Sequence, residues 1–199
     1  VGYPISLARG AYWLGTTFKQ LGDIDTANKY FSEGANFPMT YYGQLSFNEI
    51  NPGKHFELID QSSFDKNYEK EFRENRLIKH VKVLKELDAS IYAKDILKHL
   101  SDLNIEKGSE VLAAKLSTEI GRYDFAIQIS KKASYEKRFY NKYNYPIIAT
   151  PEKINNKSMP NSEVVLAIIR QESEFDSRAN SWAGARGMMQ LMKYTAKIV

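Results

Sequence analysis

The feature that most restricts the fold is a succession of apolar residues at helical spacing, broken at intervals by glycine and proline. Nearly every periodic stretch reads as helix. Residues 6–21 form the first, ending before Gly22, and residues 23–35 the second, with Asp23 or Asp25 available as its cap. Leu77, Val81 and Leu84 recur at i, i+4 and i+7, which predicts a charged amphipathic helix over 64–87. Further helices are expected over 89–103, with Tyr92, Ile96, Leu100 and Leu103 inward, and over 107–120 and 123–133 around Gly121. The fold class that follows is all-α, built from stacked helix pairs in the manner of an α-solenoid.

The first helix pair resembles a tetratricopeptide-type hairpin, with Leu14, Gly15, Phe18, Ala27 and Phe31 at the spacing of its small and large core positions. Residues 37–45, FPMTYYGQL, read as a packed aromatic corner punctuated by Pro38 and Gly43. Residues 139–161 change character. Pro146, Pro151 and Pro160, with Asn141, Asn144, Asn155 and Asn156, predict a linker without helix. A second unit then opens with a helix over 162–174, capped by Asn161 or Ser162, with Glu163 at its positive end.

Hydrophobic residues make up 43% of the 199, enough for a buried core. The formal charge is +4, and residues 61–160 carry 19 basic and 14 acidic side chains. Both signs are interspersed along the helices, so a solvated surface is expected and a nucleic-acid partner is not. A basic surface also suits an anionic polymer. The chain has no cysteine, which excludes disulfides, Cys-ligated zinc and thiol nucleophiles. No apolar run is long enough for a transmembrane segment, and the opening VGYPISLARGAYWLG is not a signal peptide. His55, His80 and His99 are dispersed, so neither metal nor cofactor is expected.

Chemistry concentrates in the last forty residues. Val165, Ile168, Ile169 and Glu172 stand at i, i+3, i+4 and i+7, which places one carboxyl on an otherwise apolar face. Burial there would raise its pKa and suit it to general-acid catalysis. The same spacing is equally met by a terminal Glu that reaches solvent. Residues 181–192, SWAGARGMMQLM, follow. Gly184 and Gly187 allow backbone to approach a ligand. Gln190, read as part of a helix start, needs a partner such as a sugar hydroxyl or amide. Met188, Met189 and Met192 offer an adaptable apolar wall.

Together, RQES at 170–173 and GARGMMQLM at 184–192 resemble the two motifs of the soluble lytic murein transglycosylase family, the second usually G-A-x-G-L-M-Q-[IL]-M-P. Met188 stands where Leu is usual and Lys193 where Pro is usual. The segment 37–45 resembles the end of the family's helical ring domain, the region from Lys70 to Arg138 its linker domain, and KRFYNKYNYP at 137–146 the lead-in to its catalytic domain. The domains implied are 1–60, the end of an α-superhelical ring-type domain; 61–145, a helical linker domain; and 146–199, the first part of a lysozyme-like catalytic domain.

The resemblance implies Glu172 as catalytic acid/base. It implies Ser173, Ser181, Met189 and Gln190 as substrate-binding residues, and Gly184 and Gly187 as the motif's backbone turns. Glu174 and Asp176 are expected to be solvated or capping. The implied substrate is the glycan strand of peptidoglycan, cleaved between N-acetylmuramic acid and N-acetylglucosamine to leave a 1,6-anhydromuramoyl end. The implied location is the periplasm, with outer-membrane association of a full-length precursor left open. The family's cleft extends well beyond its second motif, whereas here 27 residues follow Glu172. These 199 residues are therefore expected to hold only part of the site. A lysozyme-type hydrolase and a non-catalytic α-solenoid that binds glycan or protein remain open on sequence.

Overall fold

The computed structural model describes residues 2–198, so both terminal valines lie outside the described residues. The fold is all-α apart from one short hairpin. Chain contacts divide it into two compact units, 1–59 with 134–137 and 60–133 with 138–199.

The first unit is three packed helices: α1 (Pro4–Gln20), α2 (Ile24–Ala35) and α3 (Tyr41–Ile50). Pro4 opens α1, where a missing N–H costs nothing. The Asp23 carboxylate accepts from the Thr26 amide and caps α2; the Thr26 side chain, and then that amide, hold its pKa below the usual carboxylate value. Small residues let α1 and α2 approach: a Cβ at Gly15 would lie 2.7 Å from the Phe31 ring. Ala8, Ala11, Ala27 and Phe31 are buried, whereas Leu14, expected inward, is exposed. The reason is that Gly15, one position on, takes the contact. Of the expected corner at 37–45, residues 37–40 form a turn and 41–45 begin α3, which is capped by the Thr40 hydroxyl accepting from the Gly43 amide.

The second unit contains α4 (Lys66–Glu74), α5 (Arg76–Glu86), α6 (Lys94–Ser101), α7 (Ser109–Glu119), α8 (Tyr123–Tyr135, to residue 133), α9 (Asn141–Asn144), α10 (Ser162–Glu172) and α11 (Thr195–Ile198). The single helix expected over 64–87 breaks at Asn75, whose side chain accepts from the Leu77 amide and caps α5. Residues 90–93 form a 3₁₀ turn ahead of α6. Tyr92 sits in this turn and Leu103 lies past the end of α6, so both are exposed, contrary to expectation, while Leu97 and Leu100 are buried. The predicted helix-free linker holds α9 and an antiparallel hairpin, β1 (Lys153–Ile154) with β2 (Lys157–Ser158). Asn155 and Asn156 take φ of +50° and +65°, the signs of the tight turns that favour hairpins.

Helix α7 is the centre of this unit, buried on almost every side among Val81, Leu97, Leu100, Phe125 and Ile129. Every polar group on such a helix needs a partner. Ser109 Oγ donates to the Ser101 carbonyl at 2.6 Å, and Ser117 Oγ to the Ala113 carbonyl at 2.8 Å. Glu110, 1% exposed, accepts from Arg138 Nε and Nη2 at 2.9 Å each and from the Tyr140 hydroxyl at 2.9 Å. Removing one member of a buried ion pair costs roughly 3–5 kcal/mol. Residues 138–140 are held from the other side by Gln61, whose amide donates to the Phe139 carbonyl at 2.7 Å.

Burial, followed by the hydrogen bond to Glu110, pushes the Tyr140 phenol up to about 12. The unfolded chain releases that proton near pH 10, so above this pH the folded state binds more protons than the unfolded one. The contribution is intact below about pH 10 and is lost as pH rises toward 12. Denaturant unfolding followed from pH 9 to 12 is expected to show this decline. Tyr140→Phe is expected to flatten it by roughly 2–3 kcal/mol, leaving a smaller slope from Tyr143, which burial also raises.

Candidate active site

Helix α10 presents Val165, Leu166 and Ile169 to the second unit, where Ile169 is buried with Ile127 and Phe175. This corrects the expected apolar face. At 100° per residue the inward stripe centres on Ile169 and Ser173, and Glu172 lies at its edge. Both Glu172 and Ile168 are exposed. The Glu172 carboxyl is thus presented to solvent at the end of the helix.

Arg170 fixes that end of α10. Its Nε donates to the Asn144 carbonyl and its Nη2 to Asn144 Oδ1, both at 2.8 Å. Its guanidinium also lies over the Tyr145 ring, 5.6 Å from the centroid. A bidentate arginine of this kind sets orientation as well as attraction. The helix stops at Glu172, two residues before the expected end, because Glu174 and Phe175 adopt φ of +53° and +67°. Two successive left-handed residues without glycine cost about 1–2 kcal/mol each. Burying Phe175 against Ile127 and Tyr123 is worth about 1.5–3 kcal/mol and offsets part of that. Glu174 is not solvated, as expected, but half-buried and paired with Lys131 Nζ at 3.0 Å and Arg170 Nη1 at 3.6 Å. Asp176 accepts from the Arg178 amide at 3.0 Å, and its own amide donates to the Ser173 carbonyl.

Residues 176–192 fold as a knot of turns, not as a helix start. The Ser173 hydroxyl donates to the Ile169 carbonyl at 3.3 Å. Ser181 Oγ accepts from the Ala185 amide at 2.9 Å, and the Ser181 and Ala185 backbones also pair. Gly184, at φ +88°, closes this turn, and Gly187, at φ +72°, donates to the Ala179 carbonyl. The Gln190 amide nitrogen finds its partners inside the protein, the carbonyls of Ala179 at 3.2 Å and Gly187 at 2.8 Å, and so latches the loop. Met188 packs on the Ile127–Ile169–Phe175 cluster, while Met189 and Met192 remain partly exposed.

The structure therefore brings Ser173, Met188 and the loop 176–192 onto the end of α10, continuous with Glu172. A groove of about 410 Å³ lies on another face of α10, lined by Tyr145, Ile147, Leu166, Ala167, Arg170 and Phe175, and does not include Glu172. Trp182, to which the sequence drew no attention, is fully exposed beside the locked Ser181 turn. Lys131 was equally unmarked, and Asn144 was read only as a helix breaker: each meets a residue far away in the chain. Among the described residues no group of three or more His, Asp or Glu side chains could hold a metal ion. No helix among them is long and apolar enough to cross a membrane.

The Transglycosylase SLT domain model matches residues 150–199. No curated protein matches the chain in sequence. Among solved structures, the 70 kDa soluble lytic transglycosylase of Escherichia coli superposes with a TM-score of 0.71 at 18% identity, over 96% of this chain and 30% of that one. A lytic transglycosylase Slt of Pseudomonas aeruginosa, solved as an inactive mutant with a Glu replaced by Gln, gives 0.71 at 22% identity, over 96% and 31%. A 70-kDa soluble lytic transglycosylase in complex with bulgecin A gives 0.67 at 16% identity, over 96% and 30%. This chain spans less than a third of the length of these structures. Residues 150–199 therefore match a transglycosylase SLT domain, and the chain shares the all-α fold of these structures.

Proposed function

We propose that this chain is part of a lytic transglycosylase that cleaves the glycan strands of peptidoglycan, with Glu172 as the proton donor and acceptor. The observation that carries this reading is the accessible Glu172 carboxyl at the end of an anchored helix, in the segment that matches the transglycosylase domain, with the loop 176–192 folded onto the same helix. Residues 1–60 are read as the end of a ring-type domain, 61–145 as a linker domain and 146–199 as part of the catalytic domain. The periplasm, where the substrate lies, is the proposed location.

In this reading the Glu172 carboxylic acid gives its proton to the glycosidic oxygen between N-acetylmuramic acid and N-acetylglucosamine, and the C1–O bond breaks. The substrate's own N-acetyl group stabilises the cationic C1. The Glu172 carboxylate then takes the proton of the muramoyl C6 hydroxyl, whose oxygen bonds to C1. The product is a 1,6-anhydromuramoyl end, and no water is consumed. Most glycosidases use two carboxylates. The commitments of the neighbouring acids support one acid here, since Glu174 is ion-paired and Asp176 holds a turn. The inactive Glu-to-Gln form of the Pseudomonas enzyme is consistent with an essential carboxyl in such proteins. Ser181, Met189 and Gln190 are proposed to border the glycan, with Gln190 acting through the loop shape it latches. Trp182 offers an indole face to a sugar ring from a turn locked by three hydrogen bonds.

In the full-length protein, Glu172→Gln is expected to lower glycan cleavage by about 100-fold or more, read by mass spectrometry of the released muropeptides. Unchanged cleavage would remove Glu172 from the mechanism, and reducing ends in place of anhydro ends would favour a lysozyme-type hydrolase. Trp182→Ala is expected to raise KM about two- to tenfold without change in thermal stability, the range that one aromatic contact of about 0.5–1.5 kcal/mol supplies.

A further inference from the structure

We infer that Lys131, Glu174 and Arg170 form a positioning cluster that holds the Glu172 carboxyl in its working orientation, an inference that rests on the role proposed for Glu172 above. Glu172 is the last residue of α10, and the chain reverses directly after it through two left-handed residues. A carboxyl at a helix end keeps one orientation only if the turn beyond it is fixed. Glu174 is the side chain in that turn that can be held from two directions. Lys131 on α8 reaches it from 43 residues upstream, and Arg170 reaches it from one helical turn earlier on α10. Arg170 at the same time grips both oxygens of Asn144, the last residue of α9. One carboxylate thereby joins α8 to α10, and through Arg170 to α9. Phe175, the next residue, packs on Tyr123 and Ile127 of α8, so the turn is held by charge and by burial on the same helix.

A lone exposed ion pair contributes little, but Glu174 is half-buried and shared between two cations. Its effect belongs on orientation: displacement of a reacting group by about 1 Å can slow catalysis on the order of 100-fold. The cluster touches no reacting atom in this scheme, so its members are positioning residues.

The test uses the full-length protein, with steady-state cleavage of peptidoglycan strands and thermal unfolding measured side by side. Lys131→Gln and Glu174→Gln are each expected to lower kcat about tenfold with KM changed less than about twofold and Tm near the wild-type value. Lys131→Arg, which keeps the charge, is expected to retain wild-type kcat. The double variant is expected to be no slower than Glu174→Gln alone, because that variant already removes the contact Lys131 makes. Wild-type kcat in the single variants, losses that multiply in the double variant, or losses that track a fall in Tm would each overturn the inference. Glu172→Gln in the same assay separates the two readings: if it stays active, the role of Glu172 fails first, whatever the Lys131 variants do.

Discussion

The second unit depends on one buried carboxylate. Glu110 sits on a helix with almost no solvent contact, where an unpaired charge could not be tolerated. Its oxygens are met by a bidentate Arg138 and by the Tyr140 hydroxyl. Both partners come from the strand of chain that follows α8, so satisfying Glu110 fixes where that strand lies. Residues 141–144 continue from it as α9, and Asn144 at its end receives Arg170 of α10. A sequence of polar contacts thus runs from the core helix to the helix that ends at Glu172. Each link is paired, which is what a low-dielectric interior requires.

Around Glu172 the structure spends conformational energy in order to keep a shape. Two consecutive left-handed residues are unfavourable, yet Phe175 is buried and Glu174 is paired from two sides. The loop beyond is knit by its own backbone, with Ser181, Gln190 and two glycines closing the turns. Polar side chains that look free for substrate in the sequence are in part occupied by this internal work. The carboxyl that remains accessible is Glu172. Accessibility with a fixed backbone suits the proton transfer to a glycan polymer that we propose for it.

Much of this was legible beforehand. Helices α1, α2, α7, α8 and α10 stand close to where apolar spacing and capping residues put them, because those signals are local. The break at Asn75 and the hairpin at Asn155–Asn156 were also written in local chemistry, a capping side chain and a tight-turn pair, but one asparagine among many is a weak mark. Tyr92, Leu103 and Leu14 were assigned the wrong side: Tyr92 sits in a 3₁₀ turn, Leu103 lies past the end of α6, and of the pair Leu14 and Gly15 only the glycine faces Phe31. Of the candidate site, Glu172 and the loop 181–192 were singled out by residue pattern, whereas nothing in the pattern pairs Lys131 with Glu174 or Asn144 with Arg170.

What the sequence determined by itself was therefore the all-α class, the approximate helices and the identity of the carboxyl at the end of α10, because periodicity and motif spacing act over a few residues. Only the tertiary structure decided that Glu172 is exposed, that Glu174 is an ion-pair partner, and that Gln190 is a latch. These depend on partners that include groups 11 and 43 residues away, the Ala179 carbonyl for Gln190 and Lys131 for Glu174. Which face of a helix is inward is set by what packs against it, and no single helix carries that information.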